Sequence, residues 1–169
     1  MEETKRILLA CPLFSGYDGE KLPSLLKCCR AQTKAFSSGD TVPTEEEGFG
    51  ILGILLRGEL SVRGEKASLL NRLSPGALFG VSHFFGSAGA DTKITCEKAS
   101  EVLWIRQDAA EPLWEDRVIR NNLLSFLTDR ICFLNEKIAS LTAGFLRTLS
   151  PISRSSICAS SVLSTNPKS

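Results

Sequence analysis

Hydrophobic positions along the chain follow two periods, first a strand-like alternation and then a helical repeat. Between Phe49 and Arg63, two apolar runs flank Arg57-Gly58-Glu59, and Leu60 and Val62 alternate with polar neighbours. This pattern predicts a β-hairpin. Other short strands are predicted at Gln32–Phe36, Thr41–Val42, Ala67–Leu73, Lys93–Glu97 and Glu101–Ile105. Short strands separated by glycine-rich turns favour a small barrel or sandwich.

Short helices are predicted on both sides of these strands. One is expected over Thr4–Ala10 and ends before Pro12, because the residue preceding a proline is disfavoured in the α region. Asp18 is expected to cap a second helix with leucines on one face, and Asp108 a third helix after the last strand. The acidic run 45–48 is predicted to be a solvated loop tip.

A longer helix is predicted from Arg117 to about Ala143. Its branched apolar residues recur at alternating spacings of three and four, with isoleucine or leucine at one heptad position and leucine at the other, as suits a parallel two-stranded coiled coil. The predicted dimer interface is Leu124, Leu127, Ile131, Leu134, Ile138 and Leu141. The alternative is a helix packed on its own barrel, and Cys132 and Phe133 widen the apolar face in that direction. Gly144 is expected to close the helix.

Composition narrows the class of protein. The net charge of +1 and 43% hydrophobic content indicate a globular domain and give no sign of a nucleic-acid or membrane partner. The six cysteines lack a C-x-x-C spacing and there is one histidine, so we expect reduced cytoplasmic thiols and no metal site. No catalytic motif is found, and we expect no enzymatic activity. Residues 1–143 are predicted to form one domain, and the serine-rich residues 144–169 a disordered tail.

The stretch from Leu73 to Gly86 is the main candidate for a binding site. Ser74-Pro75-Gly76 predicts a turn, and Gly80 allows a backbone bend followed by free N–H groups. A pocket would be lined by Phe79, Gly80, Val81, Ser82, His83 and Phe84. The alternative interpretation is that the phenylalanines are core residues at a bend between a strand and a helix.

Four stretches in this order resemble the cyclic-nucleotide-binding sensor domain of the CRP/FNR family of bacterial transcription regulators. They are Cys11-Pro12-Leu13-Phe14, Gly39-Asp40, the run from Ile54 to Val62, and the run from Leu73 to Gly80. The resemblance covers about residues 7–143. It implies an α+β, mainly β fold, in which a jelly-roll-like β-roll (a double-stranded β-helix) carries short N-terminal helices and a long C-terminal dimerisation helix.

Two departures from the family pattern concern the ligand. Nucleotide-binding members have a glutamate after the glycine that matches Gly80, and an arginine followed by serine or threonine after a short loop. Here Val81 follows Gly80, and the loop reads Ser87 to Thr92 without an arginine and with Asp91 in its place. Asp91 and Thr92 complete the candidate pocket. Because the charge-assisted phosphate contacts are lost, we do not expect cyclic AMP to bind in the usual way.

The resemblance therefore implies an effector-sensing and dimerisation domain. We expect a homodimer with an unidentified small effector or none, and we expect neither haem nor an iron–sulfur cluster. The helix-turn-helix domain of complete regulators has no counterpart after Gly144, so DNA is not an expected partner of this chain. The alternative is a stand-alone binding module that dimerises with full-length regulators or another partner.

Overall fold

The computed structural model of the chain describes residues 2–64, 69–86 and 92–148, with side chains up to residue 142. Its helices are α1 (Glu2–Ala10), α2 (Leu22–Cys28), α3 (Val81–Phe84), α4 (Glu111–Glu115) and α5 (Arg117–Thr148), with 3₁₀ turns at Pro12–Phe14 and Gln107–Ala109. Its strands are β1 (Gln32–Phe36), β2 (Thr41–Val42), β3 (Glu45–Glu46), β4 (Phe49–Arg57), β5 (Leu60–Arg63), β6 (Leu69–Leu73), β7 (Leu78–Phe79), β8 (Lys93–Cys96) and β9 (Ser100–Arg106).

The strands form two antiparallel sheets, as the predicted β-roll requires. One sheet has the order β1-β9-β4-β3, with β7 also paired to β4, and the other has the order β2-β8-β5-β6. The prediction of a β4–β5 hairpin is wrong, because the two strands belong to different sheets. Gly58 turns the chain between them with φ +92°, and a Cβ atom there would collide with the Ser100 hydroxyl. The bend therefore sends the chain to the second sheet, where β5 pairs with β6 and β8.

The apolar core of the roll lies around β4. Every residue of this strand from Gly50 to Leu56 is buried, so β4 is covered on both faces. Ile51 and Leu55 share one cluster with Trp104 and residues of both sheets. The full set of buried residues in that cluster is Val42, Ile51, Leu55, Leu60, Leu73, Phe79, Ile94, Cys96, Val102 and Trp104.

Two predicted helix caps act differently in the structure. Asp18 accepts a hydrogen bond from the Glu20 N–H at 2.9 Å in the turn before α2. The N-cap position of α2 is occupied by Lys21, which makes no side-chain capping hydrogen bond. Asp108 lies in the 3₁₀ turn before α4, and its carboxylate is bound to Arg106. A capping carboxylate is instead found at α5, where Asp116 accepts the Val118 N–H at 2.8 Å.

The acidic run 45–48 also differs from its prediction. Glu45 and Glu46 form β3, and the Glu46 side chain is half-buried against the roll. The solvated loop tip is limited to the exposed turn at Glu47 and Gly48, both of which have positive φ. Partners contributed by other strands, described below, account for the difference.

The chain divides into two units, residues 1–126 and 127–169. The first contains the roll and the start of α5, whose Ile119 and Leu123 are buried. In the second, α5 continues through Gly144 to Thr148, so the expected end near residue 143 is wrong. A glycine inside a helix costs only about 1 kcal/mol relative to alanine, which its helical neighbours can offset. The predicted tail from residue 149 onwards lies outside the described residues.

Candidate functional site

The candidate segment begins with the predicted turn. The Ala77 N–H donates to the Ser74 carbonyl at 3.0 Å, and Gly76 has φ +89°, as the third position of a type II turn requires. The Gly76 N–H donates to the Leu55 carbonyl at 2.7 Å, and the Leu55 N–H donates to the Ala77 carbonyl at 3.0 Å. The turn is therefore confirmed and is attached to β4.

Gly80 is the point at which β7 gives way to α3. Its φ is +81°, and a Cβ atom there would collide with the Ile51 carbonyl oxygen. Gly50, the residue before Ile51 on β4, also has no room for a Cβ atom, because the His83 carbonyl of α3 occupies that space. The sequence needs glycine at both positions so that the backbone around α3 can lie directly on β4.

The phenylalanines of this segment pack into the interior. Phe79 is 6% exposed, belongs to the core of the roll and covers Gly53 with its ring. Phe84 is 1% exposed and makes an edge-on contact with Trp114 of α4, with ring centroids 5.7 Å apart. Phe85, by contrast, is half-exposed and lies beside the same tryptophan at 5.6 Å. These positions match the core interpretation of Phe79 and Phe84.

The other predicted pocket residues lie nearer the surface. Ser82 is exposed, whereas Val81, His83 and Thr92 are half-buried, and Asp91 lies outside the described residues. The structure brings Gly80 to Phe84 together in one short helical turn. Two cavities in the described part of the chain are lined by other residues. An effector site in this segment therefore remains a prediction.

A charged cluster at the Trp104 end of β9 was not anticipated from the sequence. The Lys34 ammonium lies 2.6 Å from the Glu46 carboxylate and 4.4 Å from the centre of the Trp104 ring. The Trp104 indole N–H donates to the other Glu46 oxygen at 3.2 Å. The Lys34 and Trp104 hydrogen bonds lower the pKa of Glu46. This cluster joins β1, β3 and β9 at one end of the roll.

Arg106, two residues further along β9, forms a second group of ion pairs. Its guanidinium contacts both Asp108 oxygens, at 3.1 and 3.0 Å, and the Glu47 carboxylate at 2.7 Å. The arginine lowers the pKa of Asp108, and both carboxylates raise the pKa of Arg106. Asp108 lies only two residues from Arg106 in the sequence, whereas Glu46 and Glu47, the acidic partners of Trp104 and Arg106 on β3 and its turn, come from a distant run.

A cleft of about 240 Å³ opens beside this group. Its wall is formed by the second residue after α2, the first residue of β1, the end of β9 and the following 3₁₀ turn. The lining residues are Arg30, Gln32, Trp104, Arg106, Asp108 and Ala109. We refer to it below as the Arg30 cleft.

The thiols do not form a visible metal centre in the described part of the chain. No group of three or more histidine, cysteine or acidic side chains there is placed to hold a metal ion. Burial raises the pKa values of Cys11 and Cys29 to about 11 each. Both thiols are therefore protonated at neutral pH, and a protonated thiol is a poor metal ligand.

The predicted interface on α5 lies mostly at the surface of its own chain. Its exposed members include Leu134, at 51% exposure, and Leu141, at 74%, whereas Leu127 is half-buried. The remaining exposed members are Leu124, Ile131 and Ile138. Among the described residues, no helix is both long and apolar enough to span a membrane.

Comparison with known proteins identifies the fold. No protein-family model matches the chain, and no curated protein matches it. Among solved structures, the catabolite activator protein of Thermus thermophilus has a TM-score of 0.67 at 18% identity, covering 78% of this chain and 63% of that protein. A cyclic nucleotide-binding domain from Methylobacillus flagellatus has a TM-score of 0.65 at 20% identity, covering 88% and 84%.

The N-terminal domain of a transcriptional regulator from Streptomyces coelicolor gives a TM-score of 0.59 at 20% identity, covering 78% of this chain and 94% of that domain. These neighbours are regulatory and sensor domains. The chain therefore has the β-roll fold of a cyclic-nucleotide-binding domain, and it spans less than two thirds of the Thermus protein's length.

Proposed function

We propose that this chain is the effector-sensing and dimerisation domain of a CRP/FNR-like transcription regulator, without enzymatic activity. The observation that carries the proposal is the row of exposed leucine and isoleucine side chains on α5. The β-roll fold supports it, since solved structures with that fold include transcriptional regulators. Large apolar side chains aligned at coiled-coil spacing on an exposed helix face favour pairing with a second helix.

The free energy gained by burying one side chain of the predicted interface in a dimer can be estimated from its exposed fraction. Burying a whole leucine side chain contributes about 1.5–3 kcal/mol, and Leu134 keeps 51% of its surface exposed. Covering the rest in both copies of a symmetric dimer would therefore contribute about 2 kcal/mol. That corresponds to a change of about thirtyfold in the dimer dissociation constant. A lysine at this position would also bring two like charges together across the interface.

Sedimentation equilibrium tests the proposal with a matched pair of variants. Wild-type protein is expected to be dimeric at micromolar concentration, and Leu134→Lys is expected to be monomeric. Phe133→Lys is the control, because Phe133 is similarly exposed at 46% but lies outside the predicted interface. It should remain dimeric, with circular dichroism confirming that α5 is retained in both variants. A monomeric wild type, or equal dissociation of both variants, would contradict the proposal.

The exposed face of α5 can also pair with a helix from another protein. A full-length regulator could pair with the same face of α5, and this is the alternative of a stand-alone module. Co-expression with a differently tagged copy of the chain and with a full-length regulator separates the two possibilities. Preferential recovery of mixed dimers with the regulator would favour the stand-alone module.

We also propose that cyclic AMP does not bind this chain in the way usual for nucleotide-binding members of the family. Val81 supplies an apolar side chain directly after Gly80, where binding members of the family have a carboxylate. Two residues before Val81, the Phe79 ring fills the interior of the roll over Gly53. A thermal-shift titration with cyclic AMP is expected to leave the melting temperature unchanged. A saturable rise would contradict this, because a ligand at one hundred times its Kd adds about 2.7 kcal/mol of stability.

A further inference from the structure

The Arg30 cleft has an arginine at a position that normally favours glycine. Arg30 follows α2 with φ +48°, and its N–H donates to the Lys27 carbonyl at 3.1 Å. The Ala31 N–H donates to the Leu26 carbonyl at 2.9 Å. These two bonds form a Schellman motif with Arg30 at the left-handed position. The backbone of this cap needs no arginine side chain, and a residue with a Cβ atom is less stable there than glycine.

The charges around the cleft differ in how far they are neutralised. Arg106 is in contact with two carboxylates, those of Asp108 and Glu47. Arg30 is exposed, and in the described part of the chain its guanidinium has no hydrogen bond or ion pair. Its charge acts on Asp108 only at longer range, as the weakest contribution to the lowered pKa of that carboxyl group. Among the described residues of this cleft, the guanidinium of Arg30 is thus the cationic group whose hydrogen-bond donors are available to a ligand.

We propose that the Arg30 cleft binds a small oxyanion, a carboxylate or a phosphate, through the guanidinium of Arg30. Guanidinium groups bind these planar or tetrahedral oxyanions through paired, charge-assisted hydrogen bonds. The Gln32 side chain, which also lines the cleft, offers a further amide donor. The volume of about 240 Å³ lies below the range of about 300–1,000 Å³ typical of drug-sized ligands. We therefore expect an anion smaller than a typical drug-sized ligand.

Thermal-shift titrations with inorganic phosphate and with succinate, at constant ionic strength maintained with sodium chloride, test the site. At least one anion is expected to raise the melting temperature of the wild type in a saturable manner. Arg30→Gln keeps a side chain at the left-handed position but removes the charge, and it should lose the response. Lys27→Gln removes one positive charge from the last turn of α2 outside the cleft lining, and it should keep the response.

Arg30→Gly separates binding from backbone strain. Without an added anion it should melt higher than the wild type by about 2–4 °C, because glycine suits the left-handed position. It should then show no further rise with either anion. A response to phosphate alone identifies a phosphate site, and a response to succinate alone identifies a carboxylate site. The proposal is overturned if neither anion shifts the wild type, or if Arg30→Gln and Arg30→Gly respond as the wild type does.

Discussion

Gly53 and Phe79 offer a direct test of how the roll's interior is filled. They are opposite each other in the β4–β7 pairing, and the Phe79 ring occupies the space that a Cβ atom on Gly53 would take. An aromatic side chain that covers a glycine on a neighbouring strand is a recognised way of stabilising a sheet. If Phe79 is a core residue and not a mobile pocket wall, its ring cannot move aside to accept Gly53→Ala.

The size of the effect follows from the packing. An added methyl group in a closely packed core costs about 1–3 kcal/mol, while glycine to alanine in a strand otherwise gains about 0.5–1 kcal/mol. Gly53→Ala should therefore destabilise the domain by about 1–2 kcal/mol net. Phe79→Leu leaves part of the buried ring volume empty and should cost about 1–2 kcal/mol. In the double variant the smaller leucine leaves room for the new methyl group, so we expect the losses to be less than additive by about 1 kcal/mol.

Urea unfolding of the four proteins at one fixed chain concentration measures this coupling. Tryptophan fluorescence, to which Trp104 and Trp114 both contribute, is a suitable signal because Trp104 is 2% exposed when folded. Unchanged m values would show that the unfolding free energies can be compared directly. Losses that add to within about 0.3–0.5 kcal/mol would show that the two residues do not compete for the same space. Full stability of Gly53→Ala would equally refute the packing argument.

Two further predictions concern ionisable groups. In native protein at neutral pH, iodoacetamide should modify the exposed Cys28 and Cys132 quickly. The buried thiols with raised pKa values should be modified slowly, as measured by peptide mass spectrometry; they are Cys11, Cys29 and Cys96. Equal labelling of Cys11 and Cys28 would contradict this. Because the Lys34 hydrogen bond lowers the pKa of Glu46, its ionised form stabilises the fold above the ordinary carboxyl pKa of 4.5, and this contribution is lost as the pH falls through the lower folded value. The unfolding free energy of Glu46→Gln should therefore depend less steeply on acid pH than that of the wild type, and parallel curves in urea titrations from neutral to acid pH would argue against the role of Glu46.

Much of the local structure could be predicted from residue types only a few positions apart. Ser74-Pro75-Gly76 determines its turn because proline and glycine suit successive φ values, and the turn forms as expected. The strand pattern predicted a small barrel or sandwich, the family resemblance implied a β-roll, and the roll is confirmed. The regular leucine and isoleucine repeat of α5 also lies mostly on an exposed face. Dimerisation through that face remains a prediction.

The charged cluster at the end of β9 was less predictable, because Glu46 and Glu47 come from a distant part of the chain. Trp104 and Glu46 are 58 residues apart, and Arg106 and Glu47 are 59 residues apart. Whether an acidic run is solvated or paired depends on which strand the register places beside it. The same sequence stretch, 45–48, was thus assigned to a loop although Glu46 meets both Lys34 and Trp104.

The amino-acid sequence by itself determined most of the turns, strands and helices, because those local preferences depend on neighbouring residues. Only the tertiary structure decided that Phe79 and Phe84 face the interior, that β4 and β5 lie in different sheets, and that Arg30 borders a cleft. Burial and ion pairing depend on the elements that pack around a side chain. That packing is set by strand register and by bends such as Gly58, which act over the whole fold.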